Sequence, residues 1–202
     1  MRGCAILLPA AGASARMGGA DKLLQPVDGM ALLRHAALRA LETGADVAVT
    51  LRPEDEPRNA VLEGLNLTRL VVPDAAEGMA ASLRAGAIWA SGRGAAALMI
   101  ALPDMPEITA RDMRALIDAQ AQAPDQPLRA CTADNIPGHP VILPRACFAA
   151  MDELRGDAGA RALFQVHAPR LHPLAGARAV VDLDTPEAWA EWRAMHARRE
   201  QD

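Results

Sequence analysis

The sequence predicts an α/β fold, a Rossmann-like three-layer sandwich with a mainly parallel sheet and a small β and loop insertion in the C-terminal half. Three observations predict it. Short apolar runs alternate with segments of helical periodicity, the pattern of βαβ units. One run, Ala95 to Leu102, is apolar without a break over the length of a strand, as a strand covered on both faces should be. Beyond about residue 124 the pattern changes to shorter strands around a turn-rich loop. The 202 residues fit one domain with a sizeable core, and no repeat or linker divides them.

The elements follow in order. Cys4–Pro9 is the first strand. Met30–Thr43 carries Leu32, Leu33, Ala36, Ala37, Ala40 and Leu41 at helical spacing, and Gly44 stops it. Asp46–Leu51 is a strand, 54–63 a weak helix, and Leu70–Pro73 a short strand. An Ala-rich helix covers Met79–Ser91 and leads to the strand Ala95–Leu102. Thr109 caps a helix running to Ala123, with Asp112 in its first turn. Leu128–Thr132 and Pro140–Leu143 are short strands flanking the turn residues 134–138. Arg145–Leu154 and Gly159–His167 are short helices, and Val180–Leu183 is a last strand. Thr185 caps a closing helix to Arg199, with Pro186 at its first position.

Composition narrows the function. A hydrophobic fraction of 51% with 23% charged residues is a globular balance, not a disordered one. A net charge of −4 argues against nucleic acid, and 2% aromatics with no Tyr leave no base-stacking platform. No apolar run reaches the roughly 18 to 20 residues of a membrane span. Three widely spaced cysteines (Cys4, Cys131, Cys147) make neither a disulfide framework nor a zinc set, so a reducing, cytoplasmic location is expected. Arg2, the apolar Cys4–Ala11 and Ala13-Ser14-Ala15 loosely imitate a signal peptide. Pro9 and Gly12 interrupt that pattern, and a strand followed by a loop fits better.

Parallel sheets bind ligands beyond the carboxyl ends of their strands. After Pro9 comes a loop of small residues, Ala10-Ala11-Gly12-Ala13-Ser14-Ala15, followed by Arg16 and Lys22. Small residues let the backbone approach a ligand, and successive N–H groups can cradle phosphate. Of 21 Lys and Arg residues only Lys22 is a lysine, which points to a place that needs a compact charge. The loop matches neither the Walker pattern nor the GxGxxG fingerprint. Asp104, in Asp104-Met105-Pro106, follows the most apolar strand, where one carboxylate could help hold magnesium or serve as a turn residue. Asp182 and Asp184 lie two apart before Thr185-Pro186, and helix capping competes with a ligand role for Asp184. His139 is braced by Gly138 and Pro140. Asp74 to Arg84 leads through Gly78 into a helix whose first turns carry Ser82 and Arg84.

This order of motifs resembles the molybdenum cofactor cytidylyltransferase family of the nucleoside-triphosphate transferase superfamily, from Leu8 to Trp189. The likeness rests on Ser14-x-Arg16-Met17-Gly18 with Lys22, Asp104-Met105-Pro106, Gly138-His139-Pro140 and Asp182-x-Asp184-Thr185-Pro186. Pro9-Ala10-Ala11-Gly12 has the cytidylyl form, where guanylyl relatives tend toward Leu-Ala-Gly-Gly. The resemblance implies a nucleotide-binding half, about 1–124, and an acceptor-binding half, about 125–202. It implies transfer of CMP from CTP to molybdenum-loaded molybdopterin with release of pyrophosphate, and Mg²⁺ as cofactor. Arg16, Lys22 and Asp104 would be catalytic, with Asp104 and Asp184 on the metal. Pro9, Ala10, Ala11, Gly12, Ser14, Asp74, Gly78 and Ser82 would hold the nucleotide, the amides of Ala10, Ala11 and Gly12 on its phosphates. Arg84 and His139 would face the acceptor. A molybdenum hydroxylase apo-enzyme would receive the product. The rival readings are methylerythritol-phosphate cytidylyltransferase, which normally shows Asp-Ala-Ala-Arg where this chain has Asp104-Met105-Pro106, a molybdopterin guanylyltransferase, and a carrier without chemistry.

Overall fold

The computed structural model describes residues 2–14, 17, 20–156, 163–164 and 168–199. The helix expected over Gly159–His167 falls mostly outside them. One seven-stranded sheet organises the chain, in the order β5-β4-β1-β6-β8-β7-β9. The strands are β1 (Arg2–Pro9), β4 (Val47–Leu51), β5 (Thr68–Val71), β6 (Ala95–Ile100), β7 (Leu128–Cys131), β8 (Pro137–Pro144) and β9 (Arg170–Pro173). Only β8 runs against the others. The C-terminal strands β7 to β9 extend the edge of this same sheet.

The central strands sort their side chains by alternation. Ile6 and Leu8 of β1 join Val47, Val49, Met99 and Ile142 on one face. That face is covered by α1 (Leu32–Leu41), α4 (Ala110–Ala121) and α6 (Pro186–Arg199), through Leu33, Ala37, Leu116, Trp189 and Trp192. Ala5 and Leu7 join Leu98, Ile100 and Leu143 on the other, beneath α3 (Met79–Gly92) and the single turn α5 (Phe148–Met151). This is the three-layer sandwich, and the unbroken apolarity of β6 follows from burial on both faces. Helix α4 opens with a reciprocal Thr109–Asp112 capping box.

Two local expectations fail, and one element is unforeseen. Val180–Leu183 forms no strand; residues 176–180 turn and 181–184 are irregular. The edge place beside β7 is taken by β9, a short strand with alternating burial and no apolar run to announce it. The helix expected from Met30 begins at Leu32, because Pro26–Val27 (β2) and Met30–Ala31 (β3) form a small hairpin. Its turn is Asp28-Gly29, both at positive φ (49° and 77°), the geometry that two-residue hairpin turns require.

Candidate active site

The sheet order reverses direction between β1 and β6: the chain adds β4 and β5 on one side of β1 and β6 on the other. The crevice beyond the carboxyl ends of those two strands is where open α/β sheets take ligands. A cleft of about 520 Å³ opens there. Its walls are the loop after β1 (Pro9, Gly12, Ala13, Ser14), Lys22, the entry to α3 (Gly78, Met79, Ser82), Asp104 and the pair Asp182 and Asp184.

Each wall has a local cause. Asp21 caps a turn of 3₁₀ helix at Lys22–Leu24 by accepting from the Leu23 N–H at 3.0 Å, and Leu23 is buried in the core. Lys22 therefore leaves the core side and turns to the cleft. Asp104 follows β6 in a turn closed by Met105 N–H to Leu102 O. The Leu183 N–H donates to Asp104 O at 2.9 Å, and Leu183 is buried. Alternation then sends Asp182 and Asp184 toward the cleft on either side of it.

The Lys22 ammonium bridges the two carboxylates, donating to Asp104 Oδ2 and to Asp184 Oδ1. Burial opposes its charge, but Asp104 and then Asp184 outweigh burial and hold its pKa above the ordinary lysine value. Asp182 moves the other way from an ordinary carboxylate: burial first, then Asp184 and Asp104, raise it. The cleft floor thus carries more carboxylate than one ammonium neutralises. Asp104 Oδ1 is buried and has no hydrogen-bond partner among the described residues. An orphaned acceptor in an anionic corner suits a divalent cation. Among the described residues no group of three or more His, Cys, Asp or Glu side chains is arranged to hold a metal unaided.

The expected nucleotide loop is present with one correction. The Ala10 N–H is engaged by Thr50 through both its carbonyl and its Oγ1, each at 3.1 Å, so it is not available to a phosphate. Ala10 and Ala11 are buried behind the cleft wall, while Pro9, Gly12 and Ser14 line it. Ser82 also lines the cleft and accepts from Thr50 Oγ1 at 3.0 Å. Arg16 lies outside the described residues.

Two expected acceptor residues, Arg84 and His139, and a further expected nucleotide residue, Asp74, are likewise absent from the cleft wall. The Arg84 guanidinium donates to Glu77, to Asp74 and to Leu154 O. It is a clamp joining α3 to the preceding turn, with Asp74 as one of its partners. Glu77 most, and then Asp74, raise the Arg84 pKa further, outweighing the opposing effect of burial. His139 is held in β8, its N–H donating to Ala179 O at 2.8 Å, and its Nδ1 is buried without a partner. Burial first, and the Arg129 charge second, depress its pKa to about 4, with the Ile100 backbone pulling weakly back.

That depression has a measurable consequence. Below the ordinary histidine pKa of 6.5 the unfolded chain takes up a proton that folded His139 refuses until about pH 4. Stability is therefore intact above that range and falls as the pH drops through it, by up to about 3 kcal/mol. Urea unfolding of wild type and His139→Gln across this range should show a steeper slope in wild type. Parallel curves would contradict the assignment.

Sequence reasoning missed Arg58, which is fully buried in α2 (Glu56–Val61) behind the first loop. The available signal was position: it precedes Val61 and Leu62 by three and four residues, on the inward stripe of a helix.

A crevice at the switch point of a doubly wound sheet, with a small-residue loop above a lysine and paired carboxylates, defines a nucleotide-handling α/β protein. The chain belongs to the MobA-like NTP transferase domain family, whose model matches residues 5–174. It is similar to the crystal structure of Rv0371c from Mycobacterium tuberculosis H37Rv, with 26% identity and a TM-score of 0.80 over 95% of this chain and 98% of that one. The manganese complex of Rv0371c gives 23% identity and a TM-score of 0.76 over 94% and 97%. CMP:2-keto-3-deoxy-manno-octonic acid synthetase complexed with CTP shares the fold at 17% identity, with a TM-score of 0.75 over 98% and 100%. None of the curated proteins compared with the chain matches it. Among the described residues no helix is long and apolar enough to cross a membrane.

Proposed function

We propose that the protein transfers CMP from CTP to the terminal phosphate of molybdenum-loaded molybdopterin, giving molybdopterin cytosine dinucleotide and pyrophosphate. The observation that carries this reading is Lys22 set between Asp104 and Asp184 beneath the small-residue loop. An acceptor phosphate oxygen forms the new bond to the α-phosphorus while the α–β bridging bond breaks, and pyrophosphate leaves with the electron pair. No protein nucleophile is needed. The chain's work is positioning and charge neutralisation. Loop amides and Lys22 meet the phosphates, Ser14 assists, and Gly78 and Ser82 face the nucleoside. Asp104 and Asp184 would hold Mg²⁺, which supplies Lewis-acid charge on phosphate oxygens.

CTP is favoured by the Pro9-Ala10-Ala11-Gly12 loop and by the fold shared with a synthetase whose structure contains CTP. The motif order, Gly138-His139-Pro140 and Asp182-x-Asp184-Thr185-Pro186, favours molybdopterin as the acceptor. A molybdenum hydroxylase apo-enzyme is the expected recipient. The test is pyrophosphate release from CTP, GTP, ATP and UTP offered separately, each with Mg²⁺ and molybdenum-loaded molybdopterin, and from CTP with methylerythritol phosphate in its place. Release with CTP alone is the expected result. Release with GTP alone would move the chain to a guanylyl activity, and CTP turnover only with methylerythritol phosphate would replace the acceptor. CTP binding without release from any acceptor would favour a carrier.

A further inference from the structure

Arg58 has no solvent exposure and does not line the cleft, but packs against the loop that follows β1. Its Nη1 donates to Ala10 O at 2.6 Å and to Gly12 O at 2.7 Å. Its Nε and Nη2 grip the Asp21 carboxylate at 2.8 and 2.9 Å, and Nη2 also reaches Ser14 Oγ at 3.3 Å. Ser14 Oγ in turn donates to Asp21 Oδ1 at 3.2 Å. One guanidinium therefore ties both ends of the segment between β1 and Lys22.

We infer that Arg58 is the positioning residue of the nucleotide site, aiming the loop amides and Lys22 without touching the ligand. The peptides after Ala10 and Gly12 are trans, and a planar trans peptide points its C=O and its N–H in opposite directions. Drawing Ala10 O and Gly12 O onto Arg58 turns the N–H groups of Ala11 and Ala13 away from it. No acceptor among the described residues engages those two N–H groups. Ala13 lines the cleft. At the other end, Asp21 both accepts from Arg58 and caps the turn that carries Lys22. Burial raises the Asp21 pKa, but Arg58, the Leu23 N–H and Ser14 together take it below the ordinary carboxylate value, so the grip is ionic at neutral pH. A lysine cannot replace this. Four acceptors in different directions need the planar fork, and an ammonium on a flexible stem offers one point of charge.

The inference rests on the nucleotide reading of the cleft, and the test separates the two. Arg58→Lys keeps the buried charge opposite Asp21 and should still fold cooperatively. Its KM for CTP should rise about tenfold or more, because fewer amides are aimed at phosphate. A merely structural lesion lowers the active fraction and kcat and leaves KM alone. Hydrogen exchange, read without any ligand, should quicken at residues 10–14 and 21–24 and not in β4 or β6. Unchanged KM with unchanged exchange in the loop would overturn the inference, as would uniform quickening across the sheet. If wild type itself fails to bind Mg²⁺ and CTP, the nucleotide reading falls, and the exchange pattern still decides whether Arg58 sets the loop.

Discussion

Lys22→Ala should lower turnover by a hundredfold or more while the protein still unfolds in one cooperative transition. The loss corresponds to about 3 kcal/mol of transition-state stabilisation, the usual size for one removed charge contact on a developing oxyanion. Lys22 packs its charge against Asp104 and Asp184 at the cleft, and it is not part of the core clusters. Its removal therefore costs chemistry before fold. It also leaves two carboxylates converging without their ammonium. Mn²⁺ titrated in the absence of nucleotide should then bind Lys22→Ala at least as tightly as wild type, although the variant turns over poorly. Steady-state pyrophosphate release and Mn²⁺ titration check the two halves. Near-normal turnover in Lys22→Ala would remove the lysine from the chemistry.

The largest effect on stability is expected at Gly138. A Cβ there would lie 1.7 Å from Ala179 O and 2.5 Å from Ala179 C, so backbone and not a side-chain tip must move. Overpacking of this kind costs about 3 kcal/mol or more, a fall of roughly 6 to 12 °C in Tm for a chain of this length. The effect should also reach the cleft. Ala179 stands three residues before Asp182, and the segment is held to β8 by His139 N–H and to the β6 turn by Leu183 N–H. Gly138→Ala should weaken Mg²⁺-dependent nucleotide binding along with stability. Gly92→Ala is the matched control: its added Cβ meets nothing within 4 Å, and it ends α3. It should cost no stability, because alanine favours a helix. Calorimetry of both variants decides the matter, and equal melting temperatures would contradict the account.

Much of this could be read from residues alone, for identifiable reasons. β1 and β6 declare themselves because burial on both faces writes an unbroken apolar run. Lys22, Asp104 and Asp184 were legible one by one, each by its place after a strand or before a helix. That they meet was not, since 82 residues separate the first two and 162 the outer pair. Edge elements escaped for the opposite reason. β9 is Arg-Leu-His-Pro, with no hydrophobic signature, while Val180-Val181 looks like a strand and is loop. Arg58 hid among the chain's many arginines, and only its full burial reveals its task. Arg84 was expected to face the acceptor, but its pairing was not legible: Asp74 and Glu77 are folded back onto it.

The most direct measurement is a crystal structure of the protein with CTP and Mn²⁺, the ion located by anomalous scattering. The account predicts the triphosphate against residues 11–14 and Lys22, the cytosine toward Gly78 and Ser82, and manganese on Asp104 and Asp184. A nucleotide bound away from the β1–β6 crevice, or a metal that ignores both carboxylates while nucleotide fills the cleft, would contradict it.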